Sequence, residues 1–291
     1  MKLEPECVGC IFNQVYNALK LLRKDISRGE ILHAQKKLMK FLLDCDIENN
    51  ISPILGKEAY SIVSEVLDTP DPFRDLKKKY NQLVLDKYDE IEDIIANSED
   101  PLHQAVIISA IGNTIDFASQ HEIDLISSIK DFTNKKLIID DYPMFKKSLE
   151  DAKTLLIIGD NAGEIVFDKL LIITLKKFYS NLNIIYSVRE SPIINDVTME
   201  DAIFIGLTKV IPVITSSATP GVDINSSSKE FRDVFFQERT LVLSKGQGNF
   251  ESLFDSELSD KKVFYLMMVK CNLMERIFGA KIGDLIFKKN E

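Results

Sequence analysis

The stretch Thr154-Leu155-Leu156-Ile157-Ile158-Gly159-Asp160-Asn161-Ala162-Gly163-Glu164 decides the fold. Thr154 and the four apolar residues after it read as a strand buried on both faces, and the pattern from Ile165 to Tyr179 reads as a helix. An acid and an amide thus occupy the turn between a buried strand and a helix. In an open α/β sheet that turn lies at the carboxyl edge, where ligands bind. A carboxylate there repels a phosphate, but it can hold a metal ion that binds one. The helix start adds N–H groups and a partial positive charge.

Outward from this point, strand-like segments recur at 183–188, 209–214, 240–244 and 262–268. Helices are predicted at 164–180, 198–206, 227–238 and 250–255, with a last one at 271–278 that ends at Gly279, a residue suited to a C-cap. Strands alternating with helices predict a doubly wound, largely parallel α/β/α sheet with right-handed crossovers over residues 151–291. Residues 1–150 read as an all-helical lobe, with helices at 7–24, 29–44, 57–66, 72–97, 100–119 and 143–153. Pro70, Pro72 and Pro101 mark starts or breaks, and Leu137-Ile138-Ile139 is the one strand candidate there.

The chain of 291 residues is 45% hydrophobic and 28% charged, with a net charge of −9. That balance argues against nucleic acid as a partner, since phosphate backbones need a basic face. No apolar run approaches the length of a membrane span and the first residues begin no signal peptide, so the expected setting is cytoplasmic. Cys7, Cys10, Cys45 and Cys271 with His33, His103 and His121 complete no obvious zinc site. The thiols read either as packed small hydrophobes or as a redox or metal pair. Cys7 and Cys10 lie one turn apart at a helix start, where thiolates are stabilised.

Polar residues cluster after the strands: Asp160 and Asn161, Arg189 to Asp196, Ser216 to Asp223, and Lys245 to Asn249. All four loops leave the same edge of a parallel sheet and converge on one crevice. Asp160, Asn161 and Asp196 are candidate metal ligands, with Asn195 and Glu164 in reserve. Carboxylate and amide oxygens suit Mg²⁺ or Mn²⁺, and the lack of histidine in these loops disfavours a catalytic zinc. The alternative is that Asp160 and Asp196 cap the helices that follow them. Lys245 in Ser244-Lys245-Gly246-Gln247-Gly248-Asn249 offers a point charge beside glycines that let backbone approach an anion, and Arg189 is a second cation candidate. Neither a Walker A loop nor Gly-x-Gly-x-x-Gly is present. Asn113 and Asp116, three apart on an apolar helix, share a face and form either a crevice wall or a satisfied buried pair.

Six segments together resemble the metal-dependent damage-control phosphatases, a family long catalogued as a domain of unknown function. They are Glu6-Cys7-Val8-Gly9-Cys10, Gly112-Asn113-Thr114-Ile115-Asp116-Phe117, Gly159-Asp160-Asn161-Ala162-Gly163-Glu164, Ser191-Pro192-Ile193-Ile194-Asn195-Asp196-Val197-Thr198, Ala218-Thr219-Pro220-Gly221 and Ser244-Lys245-Gly246-Gln247-Gly248-Asn249. The cysteine-bearing start is similar to the microbial and archaeal branch. The resemblance implies a helical lobe on an α/β/α domain and one divalent metal, often Mn²⁺, Ni²⁺ or Co²⁺, with Mg²⁺ also compatible. It implies hydrolysis of phosphomonoesters such as sugar phosphates or damaged phosphometabolites.

Metal ligation carries over onto Asp160, Asn161 and Asp196, and substrate contact onto Glu164 and Lys245. Glu190 stands where a glycine is expected. The expected enzyme is a phosphatase with Asp160 and Lys245 as catalytic residues. Glu164, Arg189, Lys245, Asn113 and Asp116 would contact a small phosphate ester. Two rivals are a carboxyl methyltransferase using S-adenosylmethionine and a non-catalytic module binding metabolites or metal. The first is disfavoured because the first strand is followed by no glycine-rich loop and the second by no obvious ribose-binding acid.

Overall fold

A computed structural model describes residues 1–111, 125–133, 137–254 and 261–290. Its strands are β1 (Ile139–Asp140), β2 (Thr154–Ile158), β3 (Asn183–Val188), β4 (Val213–Thr215), β5 (Thr240–Lys245), β6 (Lys262–Met268) and β7 (Leu285–Lys289). They form one sheet in the order β1-β7-β6-β5-β2-β3-β4. Every pairing is parallel except β6 with β7. Central β2 and β5 are buried along their whole length, which is why residues 155–158 and 241–243 read as apolar runs. Leu155 and Ile157 face one core cluster and Leu156 and Ile158 the other, as the two-residue period of a strand requires. The fold is the expected doubly wound, largely parallel α/β sheet.

Two departures are informative. The strand expected over 209–214 begins only at Val213, because Leu207–Lys209 forms a 3-10 turn after Gly206 at φ 70 and Pro212 has no N–H for a ladder. Strand β7 was not anticipated, its apolar core being only Leu285-Ile286-Phe287. It returns antiparallel to β6, and the short β1 adds beside it.

Helices α1 (Pro5–Leu22), α2 (Arg28–Asp44) and α3 (Ser52–Leu67) close around Val15, Leu19, Ala34, Leu38, Leu55, Ala59 and Val63, all fully buried. Helix α2 opens on a capping box: Ser27 Oγ accepts from Glu30 N at 3.2 Å and Glu30 Oε2 accepts from Ser27 N at 3.0 Å. The helix expected over 72–97 is divided into α4 (Arg74–Leu85) and α5 (Tyr88–Ala96). Then come α6 (Pro101–Ile111), the unanticipated α7 (Leu125–Thr133) and α8 (Tyr142–Asp151). Helix α9 (Glu164–Phe178) packs against α6 on one face of the sheet, and α10 (Met199–Phe204) follows β3. Helices α11 (Lys229–Phe236), α12 (Gln247–Leu253) and α13 (Asn272–Phe278) cover the other face through Phe231, Phe235, Phe250 and Met274. Helix α12 also meets α3, which brings the first helices to the sheet edge.

The topology fixes where a ligand can enter. From β2 the chain moves outward to β3, whereas from neighbouring β5 it moves outward to β6 in the opposite direction. The loops after β2 and β5 therefore diverge and leave a crevice at the carboxyl ends.

Phe145 of α8 is fully buried, with its ring edge-on to Phe264 and Phe287 at 5.2 Å from each. Phe145→Ala is expected to cost roughly 3–5 kcal/mol in urea unfolding. A loss below about 1 kcal/mol would show that this aromatic cluster does not hold α8.

Candidate functional site

The loops after β2 and β3 are laced together by backbone. Val197 N donates to Asp160 O at 2.8 Å, Ala162 N to Asn195 O at 2.8 Å, and Asn161 bridges Asp196 in antiparallel fashion. From the helical lobe, Asn81 Oδ1 accepts from Gly163 N at 2.7 Å, and its Nδ2 donates to Asp201 at 2.9 Å. Thr198, not Asp196, is the residue that precedes α10, and Asp201 accepts from its backbone and hydroxyl. Asp196 is thereby released from the capping role that the sequence left open.

Asp160 and Asp196 are 7% and 4% exposed and line one cavity of about 310 Å³ with Asn161 and Asn195. Asn161 Nδ2 donates to Asp160 Oδ2 at 2.6 Å. Arg189 Nε donates to Asp196 Oδ2 at 2.7 Å, and its Nη2 lies 3.9 Å from Asp160 Oδ1 without a hydrogen-bond partner among the described residues. The floor comes from Gly248 and Pro220 after β5 and β4, and the far wall from Cys10, Ser52 and Gly56 of α1 and α3. Lys270 and Cys271 after β6 complete the rim.

Behind the cavity lies a second charged group. Lys245 and Glu164 are 0% exposed, and Lys245 Nζ donates to Glu164 Oε1 at 2.6 Å, Asp168 Oδ1 at 2.5 Å and Ser109 O at 3.0 Å. Asp168 also accepts from Ser109 Oγ at 2.6 Å and Tyr186 OH at 2.7 Å. Burial opposes the Lys245 charge, but Asp168 and Glu164 outweigh it and hold the ammonium above its usual range. The two carboxyls share one ammonium. Asp168 has three donors whereas Glu164 Oε2 has none. Burial raises the Glu164 carboxyl, against Lys245 and with help from Asp168 and Asp160.

The sequence-derived candidates thus fall into two sets. Asp160, Asn161 and Asp196 converge on the cavity, while Glu164, Arg189 and Lys245 lie buried outside its lining. Asn113 and Asp116 lie outside the described residues. Asp168 was missed, although it stands one turn beyond Glu164 on the same helix. The contributions of α3 and the loop after β6 carried no motif, whereas Cys10 of α1 belongs to the Cys-x-x-Cys start. Burial raises the Cys7 and Cys10 thiols, the opposite of a stabilised thiolate, and all four cysteines are free.

The donor set fits a hard or borderline divalent cation. Two buried carboxylates and an amide share one cavity. Burial raises the Asp196 carboxyl, with Arg189 opposing and Asp160 adding to the rise. A cation on these oxygens would offset that excess of negative charge, with water completing its shell. Among the described residues no three His, Cys, Asp or Glu side chains stand close enough to hold an ion. Any further protein ligand would have to be an amide or backbone oxygen, and Asn161 and Asn195 both line the cavity.

Two outcomes follow. At Gly246, φ is +80° and a Cβ would lie 2.0 Å from Asp160 Oδ2, so Gly246→Ala is expected to destabilise the fold and displace Asp160. A variant with unchanged urea midpoint would contradict that contact. Glu164 binds its proton more tightly folded than unfolded, so its contribution to stability falls as pH rises from the ordinary carboxylate range to about 8. Glu164→Gln is expected to flatten this part of the stability profile, and an unaltered slope would place the proton elsewhere.

The chain also has relatives. Residues 3–286 match the family described as the damage-control phosphatase ARMT1-like domain. A damage-control phosphatase of Pyrococcus horikoshii is 32% identical, covering 100% of this chain and 99% of its own. A damage-control phosphatase of Archaeoglobus fulgidus is 30% identical over 99% of both chains. An uncharacterised protein of Methanocaldococcus jannaschii is 31% identical over 99% of this chain and 96% of its own. The crystal structure of a DUF89 family protein from Pyrococcus horikoshii superposes with a TM-score of 0.88, at 31% identity and full coverage of both chains. With its sheet topology and its crevice, the chain belongs to the damage-control phosphatase ARMT1-like family.

Proposed function

We propose that this member of a phosphatase family is a metal-dependent hydrolase of small phosphomonoesters, such as sugar phosphates or damaged phosphometabolites. One observation carries the reading: two buried carboxylates and an amide meet in a single cavity at the switch point of the sheet. Asp160, Asn161 and Asp196 would hold Mn²⁺, Ni²⁺, Co²⁺ or Mg²⁺. The ion, when bound, supplies Lewis-acid neutralisation of phosphoryl oxygens and a water for in-line attack.

The chain's own residues do the rest. Arg189 fixes the Asp196 carboxylate through Nε and keeps Nη2 as a buried donor beside Asp160. Lys245 ties the loop after β5 to α9 through Glu164 and Asp168, so the two central loops hold a fixed spacing. To touch a phosphoryl oxygen, Lys245 would exchange one of its three acceptors for it. Glu164, raised by burial, would be the group that holds a proton next to the ammonium. Helices α1 and α3 wall one side of the cavity through Cys10, Ser52 and Gly56.

Supporting the small-ester reading is the cavity's size, and no helix among the described residues is long and apolar enough to cross a membrane. The methyltransferase rival gains nothing from the site, since Asp160 and Asn161 occupy the turn where a nucleoside-binding loop would need glycines. A binding module would bind phosphate esters without releasing phosphate.

Dialysed protein is expected to bind about one divalent ion per chain. In a screen of small phosphomonoesters with each of the four metals, phosphate release should appear and be removed by chelator. Asp160→Asn and Asp196→Asn should each lower kcat/KM by about 10²-fold or more with an unchanged helical signal. No turnover of any ester with any of the metals would favour the binding module.

A further inference from the structure

We propose that a second cavity, separated from the carboxylates by Ile194, receives the organic half of the phosphate ester and favours a ring-sized body with an apolar face. This deepens the phosphatase reading and rests on it for the position of the phosphoryl group. The second cavity measures about 320 Å³ and is walled by Tyr60, Val63, Phe73, Pro192, Ile193 and Ile194. Ile194 lines both cavities and lies two residues before Asp196. The organic half of an ester held at Asp160 and Asp196 would reach the second cavity past this side chain.

The backbone at Ile194 is unusual. Its φ is 47°, a left-handed conformation that a β-branched side chain seldom adopts, and such strain persists only where the surroundings enforce it. Here its side chain packs against the core of the helical lobe, and Asp196 N donates to Ile193 O at 3.0 Å to close the turn. The strained residue stands between an acidic cavity and one that has an aromatic and aliphatic wall, with Lys57 and Asp71 also on its lining. Tyr60 gives a second link, because its hydroxyl, raised mainly by burial, also feels the Asp196 charge. The Tyr60 ring stands edge-on to Phe73 at 6.1 Å, which presents an aromatic wall to a flat ligand.

Size and chemistry select the occupant. A volume near 320 Å³ corresponds to about ten waters, enough for a single ring and its substituents. A short open-chain alcohol leaves most of that apolar wall wet, whereas a ring displaces the water. Discrimination would then come from the organic half, while the cation site treats all phosphoryl groups alike.

The test separates binding from turnover by using phosphonates that cannot be hydrolysed. With Mn²⁺ present, calorimetric titration should give benzylphosphonate a Kd at least about 10-fold below that of methylphosphonate. Ser61 and Ser64 of α3 line the same cavity three residues apart, and Ser61 is exposed. Ser61→Trp, and independently Ser64→Phe, should bring the ratio of the two affinities toward one. Equal affinities in the unaltered protein, binding of neither phosphonate, or a preference surviving both substitutions would overturn the subsite. A preference lost on substitution, in a protein that releases phosphate from no ester, would support the subsite and remove the phosphatase reading.

Discussion

Two carboxylates buried side by side are the constraint around which the rest of this structure is organised. Asp160 and Asp196 repel each other and have lost most of their water, a costly arrangement unless charge and hydrogen bonds compensate it. Arg189 supplies part of that compensation. Backbone bonds between the two loops prevent the acids from relaxing apart, and Gly246 lets the loop after β5 come against Asp160 where any side chain would collide. In the proposed function a bound cation would supply the rest of that compensation.

The Lys245 cluster solves a related problem one layer deeper. Three ionisable side chains are fully buried between α9, α6 and β5, and the chain spends two hydroxyls, Ser109 and Tyr186, on satisfying Asp168. Glu164, whose Oε2 has no donor among the described residues, is the carboxyl that burial raises. This cluster couples the two central loops, so a change there should be felt at Asp160 without any contact with it. The helical lobe adds a third layer: α1 and α3 wall the cavity, and Asn81 of α4 pins Gly163 at the start of α9.

Much of this was legible in the sequence, for physical reasons. Buried parallel strands must be apolar on both faces, so β2, β3 and β6 were read to the residue. Parallel topology then sends the loops of Asp160, Asp196 and Lys245 to one edge. What escaped was set by tertiary contact. Nothing in Lys245 or Arg189 announces full burial; it arises because α6 and α9 pack over one and the two acidic loops over the other. Strand β7 has too few apolar residues to stand out, and the α3 wall of the cavity consists of residues whose types carry no chemistry of their own.

The most direct test of the two-carboxylate account is the unfolding midpoint with and without a divalent cation. Mn²⁺ at about a hundred times its Kd should stabilise the protein by roughly 2.7 kcal/mol, since the cation binds only the folded site. Asp160→Asn should abolish that gain, and its metal-free form should be no less stable than the metal-free parent, because one of two mutually repelling buried charges is gone. Equal stabilisation of parent and variant, or none in the parent, would contradict the account.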